Sequence, residues 1–291
     1  MRCINFDLEF ERYMTAWLKE HAKEYRNLDA VEAAMPDIYA VFLDTPVNWL
    51  GGKKPGEYFT QYDSPRQLVN WMEDYFKQRV PVPDMLMNRI SELGTAAEEA
   101  LVALMQKERA TREMVMAAVT LLREIDSDAA LGQYIRWQQE RGEGEDELAD
   151  NALESLAALG ERAVDAMRRA LPAATPAGQE ALLTLLSKYP GDEDVLMTAL
   201  RLLDSRPESV AVLAVCLGEL GDERALPALK RLAASEETPY LDYIELRSAI
   251  EALGGEAPER AFDESDPAYE AMRGMQEKSM EKRSDHEKTN A

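Results

Sequence analysis

Histidine, the side chain best suited to proton transfer near neutral pH, occurs only at His21 and His286 in 291 residues. Histidine-based acid–base catalysis and multi-histidine metal sites therefore have almost no material. The two cysteines, Cys3 and Cys216, stand at opposite ends of the chain, and Cys216 lies in the apolar run AVLAVCLGEL, where it reads as a small core residue. No CxxC pair and no disulfide framework is available. Carboxylates are so plentiful that no pair of them can be singled out for general acid–base work. The segment Gly51–Gly56, GGKKPG, has the glycines and lysines of a phosphate-cradling loop. It lacks both the GxxxxGK[ST] spacing and a surrounding βαβ pattern, so it reads as a flexible turn with two solvated lysines. Around it Trp49, Lys53, Lys54, Tyr58 and Phe59 form a cationic, aromatic cluster unlike anything else in the chain, and a candidate anchor for a partner. Glu140–Asp150, ERGEGEDELAD, is an acidic insertion without the DxDxDG order of a calcium loop, and reads as a solvated loop.

The elements that must position these residues are helical. Ala, Leu, Glu, Arg and Met, all good helix formers, dominate the composition. A short mark recurs along the chain: an apolar helix end, a turn residue, an acidic or small cluster, then another apolar helix. The turn residues are Gly94, Asp126, Gly160, Gly191, Gly221 and Gly254, at successive spacings of 32, 34, 31, 30 and 33 residues. At each mark a helix ends on a residue in the left-handed conformation that glycine tolerates best. The next helix opens with acids that suit its N-terminal dipole, among them Glu98, Glu161, Glu193 and Glu223. Apolar stripes at helical spacing follow, such as Val164, Met167 and Leu171, or Leu213, Cys216 and Leu217. One such hairpin cannot bury its apolar faces alone, whereas stacked neighbours bury a continuous core.

The stretch LGELGDERALPALKRLA and its five relatives resemble the HEAT repeat family, in the short variant first noted in phycobilisome lyases. The resemblance covers residues 83 to 254 and implies an all-α, right-handed α-α solenoid of about five to six helical hairpins with an N-terminal helical cap. In HEAT proteins the second helix of each pair lines a concave surface. Here those helices are expected at 95–107, 127–140, 161–171, 192–204 and 223–234. Their outward basic residues are Arg136, Arg168, Arg169, Arg201, Lys230 and Arg231, candidates to pair with an acidic peptide or merely to balance neighbouring acids. The iron-binding HEAT enzyme deoxyhypusine hydroxylase uses several His-Glu pairs, and none occurs within these repeats. Glycosylases of the HEAT-like class need a basic concave face, and the repeats here are acidic; Tyr134 and Trp137 fall on the core stripe of their helix.

Residues 1–82 break the period and read as an aromatic-rich helical cap, with helices near 7–26, 29–43 and 65–79. Ser64-Pro65 is a good N-cap followed by proline at N1, and Pro36 is expected to kink or split the second helix. The stretches FDLEFERYM and TPVNWLGGKKPGEYF resemble the leading segment of uncharacterised bacterial HEAT-repeat proteins. Residues 255–291 turn polar and charged and read as a largely disordered tail, with one short helix expected from Asp266-Pro267 to about Lys282.

Lys and Arg number 33 against 55 Asp and Glu, a formal net charge of -22. That field repels phosphate backbones and anionic membrane surfaces, which argues against both as partners. The first residues acquire acids at once and form no signal peptide, and no stretch approaches the ~20 apolar residues of a membrane span. With cysteine usage that suits a reducing compartment, the expectation is a cytoplasmic protein. The expected function is a non-enzymatic protein–protein interaction module, without cofactor or metal, whose partner is another protein or peptide. The alternative is an enzyme or enzyme-maturation factor with a small-molecule pocket between the cap and the first repeats, using Trp49, Tyr58 or Tyr62.

Overall fold

The computed structural model describes residues 3–262, 266 and 268–273. Its α-helices are α1 (Phe6–His21), α2 (Leu28–Asp44), α3 (Pro65–Gln78), α4 (Asp84–Glu92), α5 (Glu98–Met105), α6 (Arg112–Glu124) and α7 (Leu131–Gln139). They continue as α8 (Glu147–Leu159), α9 (Glu161–Ala170), α10 (Pro176–Leu186), α11 (Glu193–Ser205), α12 (Val210–Leu220), α13 (Leu226–Ala233) and α14 (Tyr240–Ala252). The fold is all-helical; among the described residues the sole β pairing is an isolated bridge between Val47 and Lys53. No helix among them is long and apolar enough to cross a membrane.

The chain forms two compact units. One holds the residues up to Gly132 together with Glu154–Leu159, and the other holds Gln133–Leu153 and the residues from Gly160 onward. The cap and the first helix pairs therefore share a unit.

All six turn marks have positive φ: Gly94 at 57°, Asp126 at 56°, Gly160 at 56°, Gly191 at 93°, Gly221 at 70° and Gly254 at 74°. Asp126 does so without being glycine, as the short polar side chains of Asp and Asn allow. Polar contacts repeat with nearly the same period. Arg66 reaches Glu99 across 33 residues, Lys107 reaches Glu73 across 34 and Arg123 reaches Glu154 across 31 in the first unit. In the second, Thr175 bonds the carbonyl of Arg141 across 34 residues, Ser187 bonds Glu219 across 32 and Arg224 bonds Glu193 across 31. Residues one period apart are thus neighbours within each unit, as stacking of successive pairs requires.

In the first unit α1 packs on α2, α3 on α4 and α5, and α6 on α4 and α5. Leu68, Met72, Leu86, Ile90, Leu101 and Leu122 are among the side chains wholly buried there. Ser64 caps α3 by accepting from the N–H of Gln67. Pro36 does not split α2, which runs unbroken from Leu28 to Asp44. Pro36 and Glu32 are both exposed, so water can take the carbonyl that proline leaves unbonded.

In the second unit each helix packs on the next from α9 to α12, α10 also meets α12, and α14 covers both α12 and α13. A Cβ at Gly218 of α12 would stand 3.1 Å from Ala249 Cα, so glycine there is what lets α14 approach so closely. Residues 255–262, which the sequence suggested were disordered, instead pack against α14. Tyr243 donates to the carbonyl of Pro258 at 3.0 Å, and the Phe262 ring lies 4.9 Å from Tyr240 and 5.1 Å from Tyr243. Asp266 caps the helical turns at 268–273, accepting from the N–H of Ala268 and Tyr269, and also accepts from the N–H of Tyr240 at the start of α14. His286 and the remainder of the helix expected to reach Lys282 lie outside the described residues.

Candidate functional site

The sequence pointed first to the cap loop, and the structure does gather its aromatic residues. Phe6, Trp49, Tyr58 and Phe59 cluster with ring centroids 4.9 to 6.0 Å apart, and Trp71 extends the cluster from Phe59 at 6.2 Å. The cluster is a core, however. Phe59 is 0% exposed, which removes it as a contact for a partner; Trp49, at 41%, is the exposed ring. Nor is GGKKPG a loose turn. Gly51 and Gly52, with φ of 66° and 83°, reverse the chain between Val47 and Lys53, whose backbones bond at 3.1 Å. Lys53 donates to the Gln61 side-chain carbonyl, and Lys54 pairs with Asp44 at 2.7 Å and Glu57 at 3.5 Å. The Asp44 bond raises the Lys54 ammonium above its ordinary pKa. Both lysines are engaged within the loop rather than merely solvated.

The basic residues expected to line the second helices are also largely occupied. Arg168 pairs with Asp192 at 3.0 Å and donates to the Tyr189 carbonyl at 3.1 Å. Arg201 donates to the Gln179 side-chain carbonyl, Arg231 pairs with Asp204, and Arg136 leans on Gln133 at 3.4 Å. Among the described residues the Arg169 and Lys230 side chains make no hydrogen bond or ion pair. Two of the six, Arg168 and Arg231, balance nearby acids, whereas Arg136 and Arg201 bond glutamine side chains.

A different site emerges on the second unit, across the first helices of successive pairs. A groove of about 360 Å³ crosses α8, α10 and α12. Leu153, Ala177, Ala181, Thr184 and Val212 supply small and aliphatic surface, and residues 141–144 of the acidic insertion form one side. Val212 and Val215, one turn apart on α12, are 41% and 42% exposed.

The side of the groove is fixed by Arg206, between α11 and α12, whose side chain is only 14% exposed. Its two terminal nitrogens fork onto Glu143 at 2.8 and 3.0 Å, from 63 residues away, which is two repeat periods. Its Nε donates to Glu180 at 3.1 Å, Glu208 lies at 3.2 Å, and Ser209 donates to Glu180 at 2.6 Å. Bidentate pairing of this kind is the strongest form of exposed ion pair. The guanidinium holds the Glu143 carboxyl below its ordinary pKa, and in return the carboxylates push Arg206 further up.

The root of the insertion is equally tied. Arg141 pairs with Asp150, its carbonyl accepts from Thr175 Oγ1 at 2.6 Å, and the buried Gln138 donates to the Ala149 carbonyl at 2.6 Å. Gly178 makes this possible, since a Cβ there would stand 1.9 Å from the Gln138 carbonyl oxygen. The expected solvated loop is therefore a strap. Glu143 stood out in the sequence only as one acid of the insertion and Arg206 not at all, although their separation by two periods is a signal that could have paired them.

A second cavity, of about 340 Å³, lies between α3 and α5 in the first unit. Its place matches the pocket expected between cap and first repeats, but Ser64, Arg66, Asn70, Glu99 and Lys107 line it, not Trp49, Tyr58 or Tyr62. Beside it the buried Glu73 bonds Lys77 and Lys107, each at 2.8 Å. Burial alone would raise the Glu73 pKa; the two lysines together outweigh it and hold the carboxyl below its ordinary value. Among the described residues no group of three or more His, Cys, Asp or Glu side chains is placed to hold a metal ion. Comparison of the chain with protein-family models, with curated proteins and with solved structures gave no match.

Proposed function

We propose that the chain is a non-enzymatic, HEAT-like interaction module of the cytoplasm, and that it receives a segment of a partner protein in the groove across α8, α10 and α12. One observation carries the reading. The groove has an aliphatic floor drawn from three helices, continues onto the exposed Val212 and Val215, and is bordered by charged side chains. Exposed apolar surface with a polar rim is the usual mark of a protein contact. The two free cysteines suit a reducing compartment.

The test is affinity capture from a lysate of the source cell at moderate salt, with wild type beside Val212→Asp/Val215→Asp. Both valines are exposed, so the double variant should melt with the wild type. A partner held by the wild type and lost by the variant supports the reading. A partner kept by the variant removes the groove as the contact, and no partner at all sinks the interaction reading. The cavity beside Glu73 supports a second reading, a small polar ligand bound between α3 and α5. Thermal-shift screening with Lys107→Ala as the control separates the two.

A further inference from the structure

We infer that the segment received by the groove is positively charged, bearing Lys or Arg among aliphatic side chains; this rests on the reading of the groove as the contact surface. The charges beside the groove carry the argument. At the groove the two guanidinium groups of Arg141 and Arg206 meet four carboxylates, those of Asp150, Glu143, Glu180 and Glu208. Both guanidiniums are already taken: Arg141 by Asp150, and Arg206 by Glu143, Glu180 and Glu208. An incoming anion finds no open cation there and meets a surplus of negative charge. An incoming cation finds carboxylates with free lone pairs, since a carboxylate can accept about four hydrogen bonds. The Glu143 and Glu208 side chains are 65% and 62% exposed. The net charge of -22 adds a long-range attraction for the same sign of partner.

The floor sets the other half of the specificity. Ala177, Ala181 and Thr184 on α10 are small, so the backbone of an entering segment can lie close. Leu153 and Val212 flank them and give aliphatic side chains a dry surface. The occupant thus alternates between the two demands, aliphatic groups down and cationic groups toward the strap. The acidic peptide suggested by the second-helix arginines is the opposite of what this groove accommodates.

The experiment is fluorescence anisotropy with the full chain and three labelled peptides of one length. The first combines Lys with Leu and Ala, the second replaces Lys by Glu, and the third replaces Leu by Ser. The Lys/Leu peptide should bind, and its affinity should fall steeply between about 50 and about 500 mM salt. Glu143→Gln/Glu145→Gln/Glu208→Gln should weaken it roughly tenfold. Val212→Asp/Val215→Asp should abolish what the Leu/Ser exchange also abolishes. Glu180, which is tied to Arg206 and Ser209, is left unchanged so that Arg206 keeps its place when Glu143 loses its charge. Far-ultraviolet circular dichroism and a melt confirm that each variant is folded. Preferred binding of the Glu/Leu peptide, lost with the valine variant, overturns the sign of the partner and leaves the groove standing. Binding of the Ser peptide as tightly as the Leu peptide, or binding indifferent to the valine variant, reduces the effect to general attraction by an acidic body and overturns both. No binding of any peptide overturns both as well.

Discussion

Residues 45–63 in the first unit and 140–146 in the second each carry the chain between helices, and each is anchored, but by different forces. The first is held by rings: Phe59 is wholly buried, and Trp49 and Tyr58 pack with it on Phe6. The second is held by ions and hydrogen bonds, chiefly Glu143 on Arg206 and Thr175 on the Arg141 carbonyl. Ring burial gives stability but hides the side chains that could recognise a partner. Ion pairing near water gives little stability but leaves its groups able to exchange partners. The aromatic cluster drew attention in the sequence because aromatics are enriched at interfaces; the same residue types are also what a small cap uses for its core.

The contrast can be broken most readily at Phe59. Phe59→Ala should cost about 3–5 kcal/mol, the usual range for emptying an aromatic core site. Denaturant unfolding followed by tryptophan emission measures it, since Trp17, Trp49 and Trp71 all belong to the first unit. A cost below about 1 kcal/mol would mean the rings do not hold that loop. Next in size is Gly178→Ala. The added Cβ meets the backbone carbonyl of Gln138 at 1.9 Å, so α10 or the root of the strap must move, at about 1–3 kcal/mol for overpacking. Cys216 offers the readout. It is buried, burial pushes its thiol up to about 11, and alkylation at neutral pH should accelerate as the second unit loosens.

The period was legible because backbone chemistry wrote it. A helix that must reverse needs positive φ at one residue, and glycine at five of six marks advertised that need in advance. The N-cap at Ser64 was legible for the same kind of local reason. What could not be read depends on which side chains meet across distance. Arg206 is unremarkable beside Pro207 until the fold brings Glu143 and Glu180 around it. Phe59 and Trp49 look alike in sequence, and only packing decides that one is sealed and the other half open. Phe262, a lone aromatic in a charged stretch, carries no pattern in the sequence, yet Tyr240 and Tyr243 give it a seat.

A smaller effect should follow from pH. The folded Glu143 carboxyl titrates below its ordinary value of 4.5 because Arg206 stabilises its charged form. Its contribution is therefore complete above that ordinary value and is lost as the pH falls through the folded value beneath it. Backbone relaxation at residues 142–144 should show the strap loosening in that acid window, while residues 51–56, held by rings, stay rigid through it. Loosening already at neutral pH would show that the fork onto Arg206 does not fix the strap.

The smallest effect is the most discriminating. Glu143→Gln keeps the shape of the side chain and one acceptor but removes its charge, so the fork onto Arg206 weakens to an ordinary hydrogen bond. Because the carboxylate is largely exposed, the unfolding midpoint should stay where it is. Amide exchange at 142–144 should nevertheless quicken, and the acid-window loosening should vanish from the variant because nothing remains at that position to titrate. Lys54→Met, the matching change in the first unit, removes the ion pair to Asp44 but not the rings beneath it. Exchange at 51–56 should then be unchanged. Equal responses from the two variants would mean that ions hold both loops alike, and the distinction between a ring-anchored core and an ion-anchored strap would have no physical basis.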